Sequence, residues 1–83
     1  MGILWAMSRF YFDVRDGDVL LPDEDGMEAL DIDAAESEAI RTLLSIVKDL
    51  LDEQALRQIA IEVRDEVGPV LVVSSVWKVQ RKC

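Results

Sequence analysis

Eleven carboxylates crowd the stretch from Asp13 to Glu38, with Arg15 the only basic residue among them. Such a run could do two kinds of chemistry: hold a divalent cation through oxygen ligands, or split two carboxyl pKa values for general acid and base work. Ligand spacing tests the first. If Gly26 takes the place of the central glycine of a calcium loop, Asp23 and Asp25 fall on the third and fifth ligand positions. Leu21 and Ile32 then stand where the first and twelfth positions require carboxylates. The template fails, and a solvated acidic loop leading into an acidic helix start is the plainer reading. The second chemistry needs a concave, partly desolvated pocket, which a small domain with one helix hardly provides. Weak binding of a small ligand or divalent cation by the 16–33 segment stays open as the alternative function.

Other catalytic constellations fail on residue types. Histidine is absent, which rules out a Ser-His-Asp set, and the single cysteine, Cys83, is the last residue, so neither an internal disulfide nor a His/Cys metal cluster can form. Four glycines supply no phosphate-cradling motif. Lys78, Arg81 and Lys82 make the C-terminal end basic, but three charges without interleaved aromatics fall short of a nucleic-acid stripe. No enzyme activity, cofactor or resident metal is expected.

Composition narrows the class further. Seventeen acidic against nine basic residues give a net charge of −8, which repels phosphate backbones and anionic membranes, so nucleic acid and membrane are not expected partners. With 51% hydrophobic residues the chain is too apolar for disorder. The opening MGILWAM is too short for a signal-peptide core or a bilayer span, and a cytoplasmic setting fits the lone cysteine.

One tripeptide, Val-Arg-Asp, occurs twice, at 14–16 and 63–65. Arg15 and Arg64 could together bind an anion on a shared surface. The simpler account is repeated folding grammar: an inward valine ends the core of a strand, the arginine is its outward neighbour, and the aspartate opens a turn. Asp13 and Glu62 then lie on the arginines' face and neutralise them across strands.

The elements that place these residues follow from periodicity. Phe10, Phe12 and Val14 alternate with Arg9, Tyr11, Asp13 and Arg15, a half-buried first strand. Asp16-Gly17 is a tight-turn signal, Val19 to Leu21 return as a second strand, and Pro22 to Gly26 read as a loop. From about 32 to 51 the period changes, with Ile32, Ala35, Ala39, Leu43, Ile46, Val47 and Leu50 on one face of an amphipathic helix capped by Asp31 or Asp33. No Gly or Pro marks its end, which is expected between Leu51 and Glu53. A third strand places Ile59, Ile61 and Val63 inward. A fourth, VLVVSSVWKVQ, carries Leu71, Val73, Ser75, Trp77 and Val79 on one face and Val70, Val72, Ser74 and Val76 on the other.

These elements specify an α+β domain, a two-layer ββαββ fold with a four-stranded antiparallel sheet under one helix. The expected strand order is 2-1-3-4, with 1-2-4-3 as the alternative, and the helix is expected over Phe12, Ile61 and Trp77. Residues 7–80 form the single domain, 81–83 a frayed tail, and 1–6 an N-terminal extension, either an upstream start or a cloning remnant.

The stretches MSRFYFDVRDGD, DEDG, LDIDAAESEAIRTL and IAIEVRDEVGPVL resemble a family of small alphaproteobacterial proteins classed as a domain of unknown function. The most specific part is the aromatic-rich strand running into Asp13-Val14-Arg15-Asp16-Gly17, together with the second Val-Arg-Asp. The resemblance covers nearly all of Met7 to Val79. The link between the helix and the third strand departs from the family, which places Pro or Gly there. The resemblance implies the fold and no catalytic residues.

What remains is apolar surface that one helix cannot cover. Tyr11, Val70, Val72 and Val76 are expected on the outer sheet face, and Ile40, Leu44 and Leu51 widen the helix stripe beyond one sheet contact. The expected function is protein interaction or self-association, most simply as a homodimer through the fourth strand, the outer face or the helix flank, with an unknown protein partner as the other occupant. A fold-back of Ile3, Leu4 and Trp5 would cover part of that surface instead.

Overall fold

A computed structural model describes residues 7–55 and 57–82. The N-terminal hexapeptide, with the fold-back expected of it, Leu56 and Cys83 lie outside the described residues. The chain runs β1 (Ser8–Asp16), β2 (Val19–Leu21), β3 (Met27–Ala29), α1 (Ile32–Asp52), β4 (Ile59–Arg64) and β5 (Pro69–Ser74). The antiparallel sheet has the order β2-β1-β4-β5, and β3 also pairs with β1, so the expected α+β class is present with one strand added.

β2 and β3 share one edge of β1. β2 pairs with Val14 to Asp16 and β3 with Ser8 to Phe10, so Pro22 to Gly26 is an excursion inside one interrupted returning strand rather than a plain loop. Its five residues oppose Tyr11, Phe12 and Asp13. Gly26 closes the excursion at φ 72°, and a Cβ there would sit 2.9 Å from the Phe10 carbonyl oxygen and 2.9 Å from the Tyr11 ring.

α1 begins at Asp31, whose side chain accepts from the Ala34 amide at 2.8 Å, deciding between the two acidic caps. It ends in a Schellman motif: Ala55 N–H donates to the Leu50 carbonyl at 2.8 Å and Gln54 N–H to that of Leu51 at 3.0 Å. Gln54 takes the left-handed position, φ 56°, that glycine usually fills. This is why no glycine signals the helix end.

The core lies between α1 and β4. Ile59, Ile61 and Val63 are buried under Ala35, Ala39, Leu43 and Leu50, the two alanines letting the helix approach closely. Phe10 and Ala29 close one end, while Phe12, Val14, Leu71 and Val73 flank the cluster. Ile32, expected on the buried face, is exposed at the first helical position. Phe10, Phe12 and Val14 face α1 while the Phe12 amide points to the β2–β3 edge, and in L-residues that combination makes the β3–α1–β4 crossover right-handed.

The fourth strand of the sequence reading is too long. β5 stops at Ser74, because β4 begins at Ile59 and offers no partner further on. Ser75 makes the last contact: its amide donates to the Ile59 carbonyl, while its Oγ replaces the backbone carbonyl as acceptor for the Ile59 amide at 3.0 Å. Trp77 therefore does not lie beneath α1 but turns back, its Nε1 donating to the Arg57 carbonyl at 3.2 Å, and Val79 is exposed. Of the three residues expected under the helix, Phe12 and Ile61 are in the core region and Trp77 is not. A bulge between Val63 and Arg64 shifts β5, so Val70 packs against the core cluster.

Candidate functional site

On the sheet face away from α1, the register sets Asp13 directly opposite Glu62 and Tyr11 opposite Arg64. Two carboxylates facing each other repel, and each is answered diagonally by the other strand's arginine. Arg64 donates from Nε to Asp13 Oδ2 at 2.8 Å and from Nη2 to Oδ1 at 3.4 Å, while Arg15 forms the matching pair with Glu62. The two Val-Arg-Asp copies thus close a reciprocal lattice of ion pairs. The Arg64 guanidinium also lies 4.4 Å from the Tyr11 ring centroid and donates to the Asp23 carbonyl at 3.0 Å.

Asp13 is buried despite its charge and has its partners: Arg64, and the Asp23 amide, which donates to Oδ1 at 2.8 Å. Asp23 repays an opposite need. The 22–26 excursion removes the strand that would have accepted from the Phe12 amide, and Asp23 Oδ2 takes that donor at 3.1 Å. Its Oδ1 accepts from Asp25 and Gly26. Partial burial pushes the Asp23 carboxyl up, but the amides of Phe12, Gly26 and Asp25 and the nearby Arg64 charge outweigh it, leaving the pKa below the ordinary aspartate value. Hydrogen bonding from Arg15 lowers Glu62 likewise, and hydrogen bonding from Arg57, 2.7 Å from Asp16, lowers Asp16.

Of the acids in the 16–33 segment, Asp23 is committed to backbone amides, Asp16 to Arg57 and Asp31 to the cap of α1. Asp65, closing the second Val-Arg-Asp, accepts from the amides of Val67 and Gly68, an Asx turn. Among the described residues no group of three or more His, Cys, Asp or Glu side chains is placed to hold a metal ion. Arg15 and Arg64 are both engaged, so a shared anion site would have to displace their carboxylates. Beside them an open groove of 330 Å³ runs along Glu62, Arg64, Val70 and Val72.

The residues expected at an interface separate. Tyr11 is half-buried beneath Arg64, Val70 packs against the core, and Val76 is exposed past the end of β5. Val72 stays exposed on β5. Ile40, Leu44 and Leu51 remain together on α1, exposed by 42%, 62% and 57%, joined by half-buried Val47. Their spacing of four, three and four residues keeps all four within about 60° of the helix surface, the pattern of a helix-packing seam. Val47, read as core, does pack against the core cluster and also borders the seam, and Asp23 lies in the loop as read; what sequence reasoning missed is that Asp23 stands in for a strand's backbone acceptor. A five-residue insertion bounded by glycine, opposite only three strand residues, is the signal that could have exposed Asp23.

The family model of a domain of unknown function, DUF6894, matches residues 9–76. The chain belongs to this family. No curated protein and no solved structure matches it. The match spans every element of the fold, from β1 to β5, and covers both Val-Arg-Asp copies as well as the seam on α1. Among the described residues no helix is long and apolar enough to cross a membrane.

Proposed function

We propose that this member of DUF6894 is a protein-interaction module of the bacterial cytoplasm that acts by docking and carries no catalytic activity. The observation that supports this is the seam of Ile40, Leu44, Val47 and Leu51, three of whose members stand in solvent on a helix already anchored by its other face. Exposed contiguous apolar side chains on a small acidic domain lower their free energy by meeting another protein surface. The charged face of the sheet supports the same reading by default, since its arginines are internally paired. The cation-binding alternative over 16–33 has less support, because both oxygens of Asp23 accept backbone amides.

A photo-crosslinking residue placed at Leu44 in the native host tests the proposal. Adducts of defined mass are expected from position 44 and not from Asp49, on the polar side of the same helix. Equal labelling from both positions, or none from 44, would remove the seam as a docking surface.

A further inference from the structure

We infer that the occupant of the α1 seam is a second copy of this chain, joined by antiparallel pairing of the two β5 strands about a two-fold axis at Val72. The inference rests on the reading of the seam as an interaction surface and adds what meets it and in which register.

The first observation is the free edge. Among the described residues β5 is the last strand of the sheet, and the Ser75–Ile59 bonds set the alternation by which Val73 and Leu71, opposite Ile61 and Val63, turn their backbone groups toward β4. The amides and carbonyls of Val72 and Ser74 therefore point away from the sheet. Protected edges carry charges, prolines or bulges. β5 has a bulge and Pro69 only at its start, and from Val70 to Ser74 no residue is charged. In a chain of net charge −8, that uncharged edge lets two copies meet without like-charge contact along it.

The second observation is that the seam overhangs this same edge. α1 packs on β4 and β5. The seam lies about 110° on from the buried face in the direction of increasing residue number. In the right-handed crossover, with α1 running opposite to β4, that rotation turns it toward β5 and away from β1. A free edge and an apolar flank thus face the same way, and one operation covers both.

The geometry closes. Strands are about 4.8 Å apart, so a helix seated over β4 and β5 lies about 5 Å from an axis beside β5, and two copies bring their helices to about 10 Å, the distance of packed helices. The levels also agree. Asp31, Ile32 and Asp33 lie beside Ser8, and Val72 is level with Asp13 through Glu62. Ser8 to Asp13 spans about 17 Å of strand, and the same length of helix from Ile32 reaches about residue 43, near the middle of the seam. With the axis at Val72, the helices run antiparallel, Leu44 meets the partner's Val47, and Ile40 meets the partner's Leu51. Ser74 pairs with the partner's Val70.

Sedimentation equilibrium of the full chain at tens of micromolar reads the mass, and a dimer is expected. Val72→Pro removes an edge donor that no described strand of the same chain uses, and Leu44→Glu charges the seam. Each is expected to weaken the dimer at least tenfold while far-UV circular dichroism shows a folded monomer. Val72→Lys serves if the proline variant does not fold. In a Cys83→Ser background, Val72→Cys is expected to form an intermolecular disulfide on mild oxidation, since its Cα lies about 5.5 Å from its symmetry mate, whereas Ser74→Cys is not. A monomeric wild type, a dimer indifferent to both Val72 variants, or cross-linking of Ser74→Cys as readily as Val72→Cys would overturn the inference. A monomeric wild type whose position 44 still cross-links to other proteins would overturn the dimer and leave the docking function standing.

Discussion

Asp13 on β1 and Glu62 on β4 stand directly opposite one another, two carboxylates in cross-strand register, and the arginine two residues beyond each one reaches across to the other strand's acid. The lattice is unequal. The Asp13 side chain is 9% exposed and that of Glu62 is 34% exposed.

Arg64→Ala is expected to lower the urea midpoint more than Arg15→Ala, because it leaves a buried carboxylate without its cation while Glu62 can turn to water. Equal shifts from the two variants would show that burial does not set the difference. Arg64→Lys should recover only part of the loss, since a single ammonium cannot reproduce the two-point contact with Asp13 and also reach the Asp23 carbonyl.

Acid should unfold the domain through the depressed carboxyls. Asp16, Asp23 and Glu62 have folded pKa values below their ordinary 3.8, 3.8 and 4.5. Each binds protons less readily folded than unfolded, so its contribution is fully present above the ordinary value and is lost as pH falls through the depressed one. Urea midpoints measured from neutral pH downward should hold steady and then fall below about pH 4.5. Asp23→Asn should flatten that fall.

Gly26→Ala should destabilise by about 2 kcal/mol or more, because a left-handed alanine is strained and its Cβ meets the Phe10 carbonyl, which is backbone and cannot move aside. Gly17, with open space around it, should tolerate alanine better, at the cost of its own left-handed φ alone. Thermal melts of the two variants side by side give the comparison.

Gln54→Gly should stabilise the domain by about 1 kcal/mol, since glycine enters the left-handed position of the Schellman motif without the Cβ penalty. A neutral or destabilising result in chemical denaturation would mean that the Gln54 side chain makes a compensating contact.

Much of this architecture was legible in the residues. Alternation placed Phe10, Phe12 and Val14 on one face of β1 and Ile59, Ile61 and Val63 on one face of β4, and the change of period marked α1 within a residue of its observed end. These are local properties: a strand's side chains alternate and a helix's recur every 3.6 residues whatever lies across from them. The crossed ion pairs followed from the same alternation, once Asp13 and Glu62 were read on the arginines' face.

What tertiary structure alone decided is where neighbours run out. VLVVSSVWKVQ reads as one long strand because its five valines and Trp77 favour extended backbone, yet only the start of β4 at Ile59 determines that pairing ends at Ser74 and releases Trp77. The 22–26 segment reads as a turn because Pro, Asp and Gly are turn residues. Only the register of β1 shows that the strand resumes at Met27 and that Asp23 must replace a missing backbone acceptor. Val70 reads as outward-facing by count of two, and a single bulge brings it against the core cluster as well as the outer groove. The seam on α1 was visible as excess apolar width, but its position above the free edge of β5 depends on the handedness of the crossover, a property of the assembled sheet and helix rather than of either segment.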